Sequence, residues 1–172
     1  MSAEVSPGVL GAGGSGGGGS VERVRAALLA AGHADTIVAF PDGTRTAADA
    51  AAAVGCTVAQ IAKSIVFRAG ERAAVIVTSG ANRVDPGQAG TALGVRLVRA
   101  DADWVRATTG FAIGGVAPVG HLSPPLVLVD EDLLALDPIW AAAGSPRHVF
   151  RTTAADLLRM TGARAATVRG MG

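Results

Sequence analysis

Tyrosine is absent from this 172-residue chain, and cysteine and lysine occur once each, at Cys56 and Lys63. A single cysteine excludes an internal disulfide and fits a reducing compartment, so a cytoplasmic location is expected. No apolar run approaches eighteen residues, which argues against a membrane span. The N-terminus lacks a basic stretch followed by an apolar one, which argues against secretion. The three histidines, His33, His121 and His148, do not group with Cys56 at metal-ligand spacing, so no metal and no other cofactor is expected. Charge of one sign is also missing. The net charge of +1 is not that of a protein that coats nucleic acid, although a local arginine patch is left open.

What remains is 49% hydrophobic and 17% charged, enough for one domain with its own core. Residues 1–19 read as a disordered glycine/serine-rich tail and 20–172 as the folded body. Two motif matches fall in or beside the tail, Gly11-Ala12-Gly13-Gly14-Ser15-Gly16 (GxGxxG) and Gly13-Gly14-Ser15-Gly16-Gly17 (GxSxG). Both need a preceding strand and a following helix, which low-complexity glycine does not supply. In the body, Ser20 caps a helix to about Ala31, and residues 36–40 form a strand. Thr46 caps an alanine-rich helix closed by Gly55, and Thr57-Val58-Ala59-Gln60 has the capping-box pattern. Residues 64–68 and 73–78 pair as a hairpin. Asp85-Pro86 opens a helix ended by Gly94, residues 95–98 are a short strand, and Asp101 caps a helix carrying Trp104. Residues 126–129 are a strand, and Pro138 opens a short helix with Trp140 that breaks at Gly144-Ser145-Pro146. Residues 148–151 are extended, Thr153 starts a last helix ending at Gly162, and residues 165–168 form an edge strand. No internal repeat is present. Helices and strands mix without a βαβ rhythm, which predicts an α+β domain with a mixed sheet.

Two features carry chemistry. From Gly110 to His121 four glycines and Pro118 lie among apolar residues. Such a backbone can turn amide N–H groups toward an oxygen that gains negative charge; the plainer alternative is a strand, a bulge and a tight turn. Lys63 is the lone lysine against fourteen arginines, and it sits in the apolar run 58–67. It reads either as a compact, mobile cation for a phosphate or an ester oxygen or as a snorkelling surface residue. Strand alternation puts Ser64 on the face opposite Lys63. Cys56 reads as a buried structural thiol, Asp85 as an N-cap, and Asp130-Glu131-Asp132 as a solvated turn.

Thr46 to Ala51, Lys63 to Phe67, Gly80 to Val84 and Gly114-Gly115-Val116-Ala117-Pro118-Val119-Gly120 together resemble the YbaK/ProX-type aminoacyl-tRNA editing domain, from about Val21 to Val168. The resemblance implies a largely antiparallel sheet flanked by helices. It also implies hydrolysis of amino acids wrongly attached to tRNA, often the tRNA for proline, with the acceptor end of an aminoacyl-tRNA as partner. Under that reading Lys63, Gly114 and Gly115 are the catalytic candidates, Lys63 as the cation and the two glycines as oxyanion donors. Ser64, Pro118, Gly120, His121, Gly144 and Ser145 are the substrate-binding candidates. The segment Ala142-Ala143-Gly144-Ser145-Pro146-Arg147 departs from the Ser-Gly-Gly-Lys-Arg-Gly-like run of cysteine-specific members, which speaks against cysteine specificity. Two other classes fit the same residues: a non-catalytic module that grips a tRNA end or a protein, separable by turnover, and a hydrolase of another small acyl ester, separable by its indifference to tRNA. No oligomeric state is implied.

Overall fold

The computed structural model describes residues 16–170, so the expected tail lies outside the described residues up to residue 15. The first helix, α1, runs Gly16–Ala30, starting four residues ahead of the expected Ser20 cap. Ser20 is buried inside the helix, and its hydroxyl donates to the carbonyl of Gly144 (2.6 Å). Val21, Val24 and Leu28 line the buried stripe of α1, as their helical spacing requires.

Strand β1 (Ile37–Ala39) is followed by α2 (Ala47–Val54), capped by Thr46, whose hydroxyl accepts from Asp49 N–H (3.1 Å). A short 3-10 turn, Val58–Gln60, carries the expected capping interaction: Thr57 N–H donates to Gln60 Oε1 (2.9 Å). It leads into the hairpin of β2 (Ile61–Ala69) and β3 (Arg72–Ser79). Helix α3 (Pro86–Leu93) is capped by Asp85, the two-residue β4 (Val98–Arg99) follows, and α4 (Ala102–Thr109) is capped by Asp101. Residues 111–125 hold no strand. Then come β5 (Leu126–Asp130), β6 (Ile139–Ser145), β7 (His148–Thr152), α5 (Ala154–Thr161) and β8 (Arg164–Ala166).

One sheet of order β1-β7-β6-β2-β3-β5-β8, with β4 on β2, organises the described residues. The pairs β1/β7, β2/β3, β2/β4 and β6/β7 are antiparallel, and β2/β6, β3/β5 and β5/β8 are parallel. The domain is thus α+β with a mixed sheet. The main core lies between one face of the sheet and α1, α4 and α5, with Val24, Leu28, Val75, Val77, Phe150 and Leu157 at its centre. A smaller cluster on the other face joins Ile61 to Ala50 and Ala51 of α2.

Two expectations are corrected here. Residues 139–145 form a strand, not a helix. The alternation is real, with Ile139, Ala141 and Ala143 buried, but alanine fits either periodicity, which hides it. The small side chains admit α1: a Cβ on Gly144 would stand 2.8 Å from the backbone of Ser20. The acidic turn is likewise not solvated at its first residue. Asp130 is buried, and its Oδ2 accepts from Thr78 Oγ1, Ser79 N–H and Asn82 Nδ2. It fastens β3 to β5.

Candidate active site

The site arises where the sheet comes apart. Strand β6 pairs with β2 only at Ile61↔Trp140 and Ala62↔Ala141, and β4 joins the same edge at Phe67 and Arg68. Between them residues 63–66 have no strand neighbour on that side. Gly80 N–H donates to Ile61 O (2.6 Å), which turns the polar groups of Ile61 toward β3. Alternation along an antiparallel pair then directs the N–H and C=O of Ser64 and Val66 into the gap.

Strand β6 leaves β2 because it bends. Its register against β7 shifts between Ala142 and Ser145, a bulge centred on Gly144, whose φ of 101° lies in the region side chains avoid. The bend carries Ser145 and His148 over the gap. The resulting cavity, about 250 Å³, is bordered by Lys63 and Ser64 of β2, by Ile113, Gly114 and Val116 of the glycine loop, and by Ser145 and His148. Ala47, Ala50, Ala141 and Ala142 complete much of its wall, with Trp140 and Ile61 beside them.

Lys63 makes no hydrogen bond and no ion pair among the described residues, so its ammonium is uncommitted. The side chains of Ala62 and Val66 belong to the main core and that of Ile61 to the opposite cluster, so Lys63 and Ser64 point to opposite faces as alternation predicts. Both residues still border the cavity, which opens at the edge of the strand. The hydroxyl of Ser64 is buried and has no hydrogen-bond partner. A buried polar atom left unpaired is costly, and a ligand that pairs with it recovers that cost.

A pair that the sequence did not reveal faces them. Ser145 Oγ lies 2.6 Å from His148 Nδ1 and accepts from Arg147 N–H (3.0 Å). An arrangement that serves both contacts has the serine hydroxyl donating to Nδ1 and the proton of the neutral ring on Nε2; the other tautomer donates from Nδ1 to the hydroxyl. Burial holds the His148 pKa below its ordinary value, and the charges of Arg25 and Arg147 push the same way against Glu22. In the first of these tautomers the ring offers an N–H donor at Nε2. A histidine three residues after a serine has no alarm value in sequence; the β6–β7 turn makes the contact.

The other candidates separate. Gly115 does not border the cavity: its N–H donates to Ala112 O (3.0 Å), and a Cβ there would stand 2.7 Å from Ser145 Cα. It is the contact point between loop and bulge rather than an oxyanion donor. Gly114 borders the cavity with open space around its Cα, at φ 97°. Pro118, Gly120 and His121 line a different cavity, beside Ala27, Pro125 and Met160. His121 Nε2 is 2.7 Å from Ala117 O, its ring meets Phe111 edge-on at 5.0 Å, and burial lowers its pKa. Its Nδ1 is buried and has no hydrogen-bond partner among the described residues. Gly144 shapes the wall from behind, through Ser20. Cys56 is half-buried and donates to Thr57 O (3.3 Å), and burial raises its pKa, so it is no nucleophile. Among the described residues no group of three or more histidine, cysteine, aspartate or glutamate residues can hold a metal ion. No described helix is long and apolar enough to cross a membrane.

Comparison with known proteins fits this geometry. The family of aminoacyl-tRNA editing domains matches residues 41–160, and the chain belongs to that family. A solved structure described as a candidate trans-editing enzyme for prolyl-tRNA synthetase is 46% identical. It superposes with a TM-score of 0.83, over 88% of this chain and 97% of that one. The structure of hypothetical protein APE2540 is 26% identical with a TM-score of 0.78, covering 85% of this chain and 98% of that one. Among curated proteins, the uncharacterized protein YwhH of Bacillus subtilis (strain 168) is 27% identical over 139 residues, which are 80% of this chain and 88% of the relative.

Proposed function

We propose that the protein is a deacylase that hydrolyses the ester of a small amino acid wrongly attached to tRNA, with the tRNA for proline as the carrier. The observation that carries this reading is the cavity at the sheet gap. Lys63, Ser64 and the Ser145–His148 pair border one space there, together with Arg45 and five alanines.

Each group has a part. Lys63 neutralises the terminal phosphate or the ester oxygens. A water attacks the ester carbonyl, which becomes a tetrahedral oxyanion. Main-chain N–H groups of the loop around Gly114 face the developing charge; one such donor is worth about 2.7–4 kcal/mol in known cases. The Nε2–H of His148 orients a ribose hydroxyl or the leaving oxygen, held by Ser145. The amino-acid side chain enters among the alanines, where steric exclusion does the selecting, because a methylene that merely fills space discriminates by only about 1–3 kcal/mol.

The test is a single-turnover panel with purified protein and alanyl-, seryl-, prolyl- and leucyl-tRNA. Fast loss of the small amino acids and retention of leucine is the expected result. Protection of every ester would make the protein a binding module instead, and equal cleavage of a small acyl ester without tRNA would make it a general esterase.

A further inference from the structure

We propose that Arg23, in the second turn of α1 and outside the cavity, is the positioning residue that sets the glycine loop against the Ser145–His148 pair. The inference rests on the deacylase reading for its kinetic arm and on the structure alone for its other arm.

Arg23 Nη2 donates to Gly110 O (2.9 Å) and Nε donates to Gly120 O (3.1 Å), while the guanidinium lies 4.9 Å over the Phe111 ring. Gly110 and Gly120 are the two ends of the loop, so one planar group spans its mouth. No carboxylate pairs with Arg23 among the described residues, and burial lowers its pKa. A half-buried cation is therefore held by two main-chain carbonyls and the face of the Phe111 ring. Both glycines have φ 81°, and a Cβ on Gly110 would stand 2.5 Å from Nη2. The backbone is thus shaped around the guanidinium. Three residues earlier, on the same face of α1, Ser20 holds the Gly144 carbonyl. One helix face therefore grips both walls of the cavity, the loop through Arg23 and the bulge through Ser20. The walls meet where Gly115 touches Ser145.

A lysine cannot reproduce this, because it offers a point charge in place of a fork that reaches two carbonyls. Arg23→Lys keeps the charge and the fold. It should lower the single-turnover rate about 100-fold at unchanged KM, the loss a misplacement of about 1 Å carries. Arg23→Ala should fall further and recover in part when methylguanidinium is added; a variant that has merely lost packing does not respond to that ion. The second arm is amide hydrogen exchange. In Arg23→Lys the amides of 111–122 should exchange at least about 10-fold faster, as in local opening, while those of β3 and β5 stay protected. If the wild type cleaves no ester, the functional reading fails and the exchange arm still decides the role of Arg23. Wild-type rate and KM in Arg23→Lys, no methylguanidinium rescue, or exchange that rises equally across the whole sheet would each overturn the proposal.

Discussion

Two cavities flank the glycine loop, and they differ in the charge and the strand edge that their walls leave open. In the one at the sheet gap, Lys63 is unpaired, Ser64 Oγ is buried without a partner, and the edge of β2 from 63 to 66 is bare of strand. In the other, Gly120 O is taken by Arg23 and His121 Nε2 by Ala117 O, while His121 Nδ1 is buried without a partner among the described residues, beside the prolines and Met160. Both are lined by the same loop, and both looked alike in sequence, a glycine or histidine amid apolar residues. Each cavity holds one buried polar atom without a partner among the described residues, so what distinguishes the two here is the uncommitted cation and the open strand edge of the first.

The contrast can be attacked from its strongest point downward. Lys63→Ala should lower deacylation by about 100–1,000-fold, the range for losing a charge-stabilising donor, with the melting temperature unchanged. Lys63→Arg should recover only part, since a planar fork replaces a compact ammonium. If a phosphate is its partner, binding should weaken as salt rises. Single-turnover rates at two ionic strengths check all three.

His148 should govern the acid side of the pH–rate profile. Its pKa lies below the ordinary 6.5, so the rate should hold down to that pH and fall beneath it as Nδ1 takes a proton and can no longer accept from Ser145. His148→Gln should remove that limb and cut the rate about 10–100-fold, as loss of a positioned proton-handling group does.

Gly114→Ala should cost about 1–2 kcal/mol of stability, because the new Cβ meets nothing and only the left-handed backbone is strained. Its rate should fall by more than that loss explains. Gly120→Ala should invert the pattern, since its Cβ would press on Arg23 and Val24 at 3.2 Å. Urea melts and rates measured together separate the two.

The smallest effect belongs to His121→Gln, which should leave the rate and its acid limb alone. Burial disfavours the charged ring, so the folded pKa lies below the unfolded one. Above pH 6.5 both states are neutral and stability is full; it is lost as pH falls through 6.5 toward the folded value. The variant should flatten that acid loss in melts between pH 7 and 5.

Local signals were the legible part of this chain. Thr46, Asp85, Asp101 and Thr153 cap helices where their spacing placed them, and Gly55, Gly94 and Gly162 close them. Lys63 was legible as an anomaly of composition, and it does border the cavity. The rest depends on contacts between distant segments. Residues 138–145 were unreadable because alanine satisfies both periods. The Ser145–His148 pair depends on a bulge that alanine, glycine and serine do not announce. Arg23 is one of fourteen arginines, and only the packing of α1 against the loop singles it out. Gly114 and Gly115 were named together for the same reason: which amide of a glycine pair is spent in a turn is decided by the turn.

The gap beside β2 has a further consequence. An uncovered run of strand, as residues 63–66 would be if left open, is a template on which another chain can add itself edge to edge. Here α2 and the glycine loop stand over it and a bulged β6 turns away, so the slot admits a small ligand but no strand. The elements that shape the cavity are also those that keep the protein from aggregating through it. Mutations that loosen α2 or the loop should therefore first be noticed as loss of solubility.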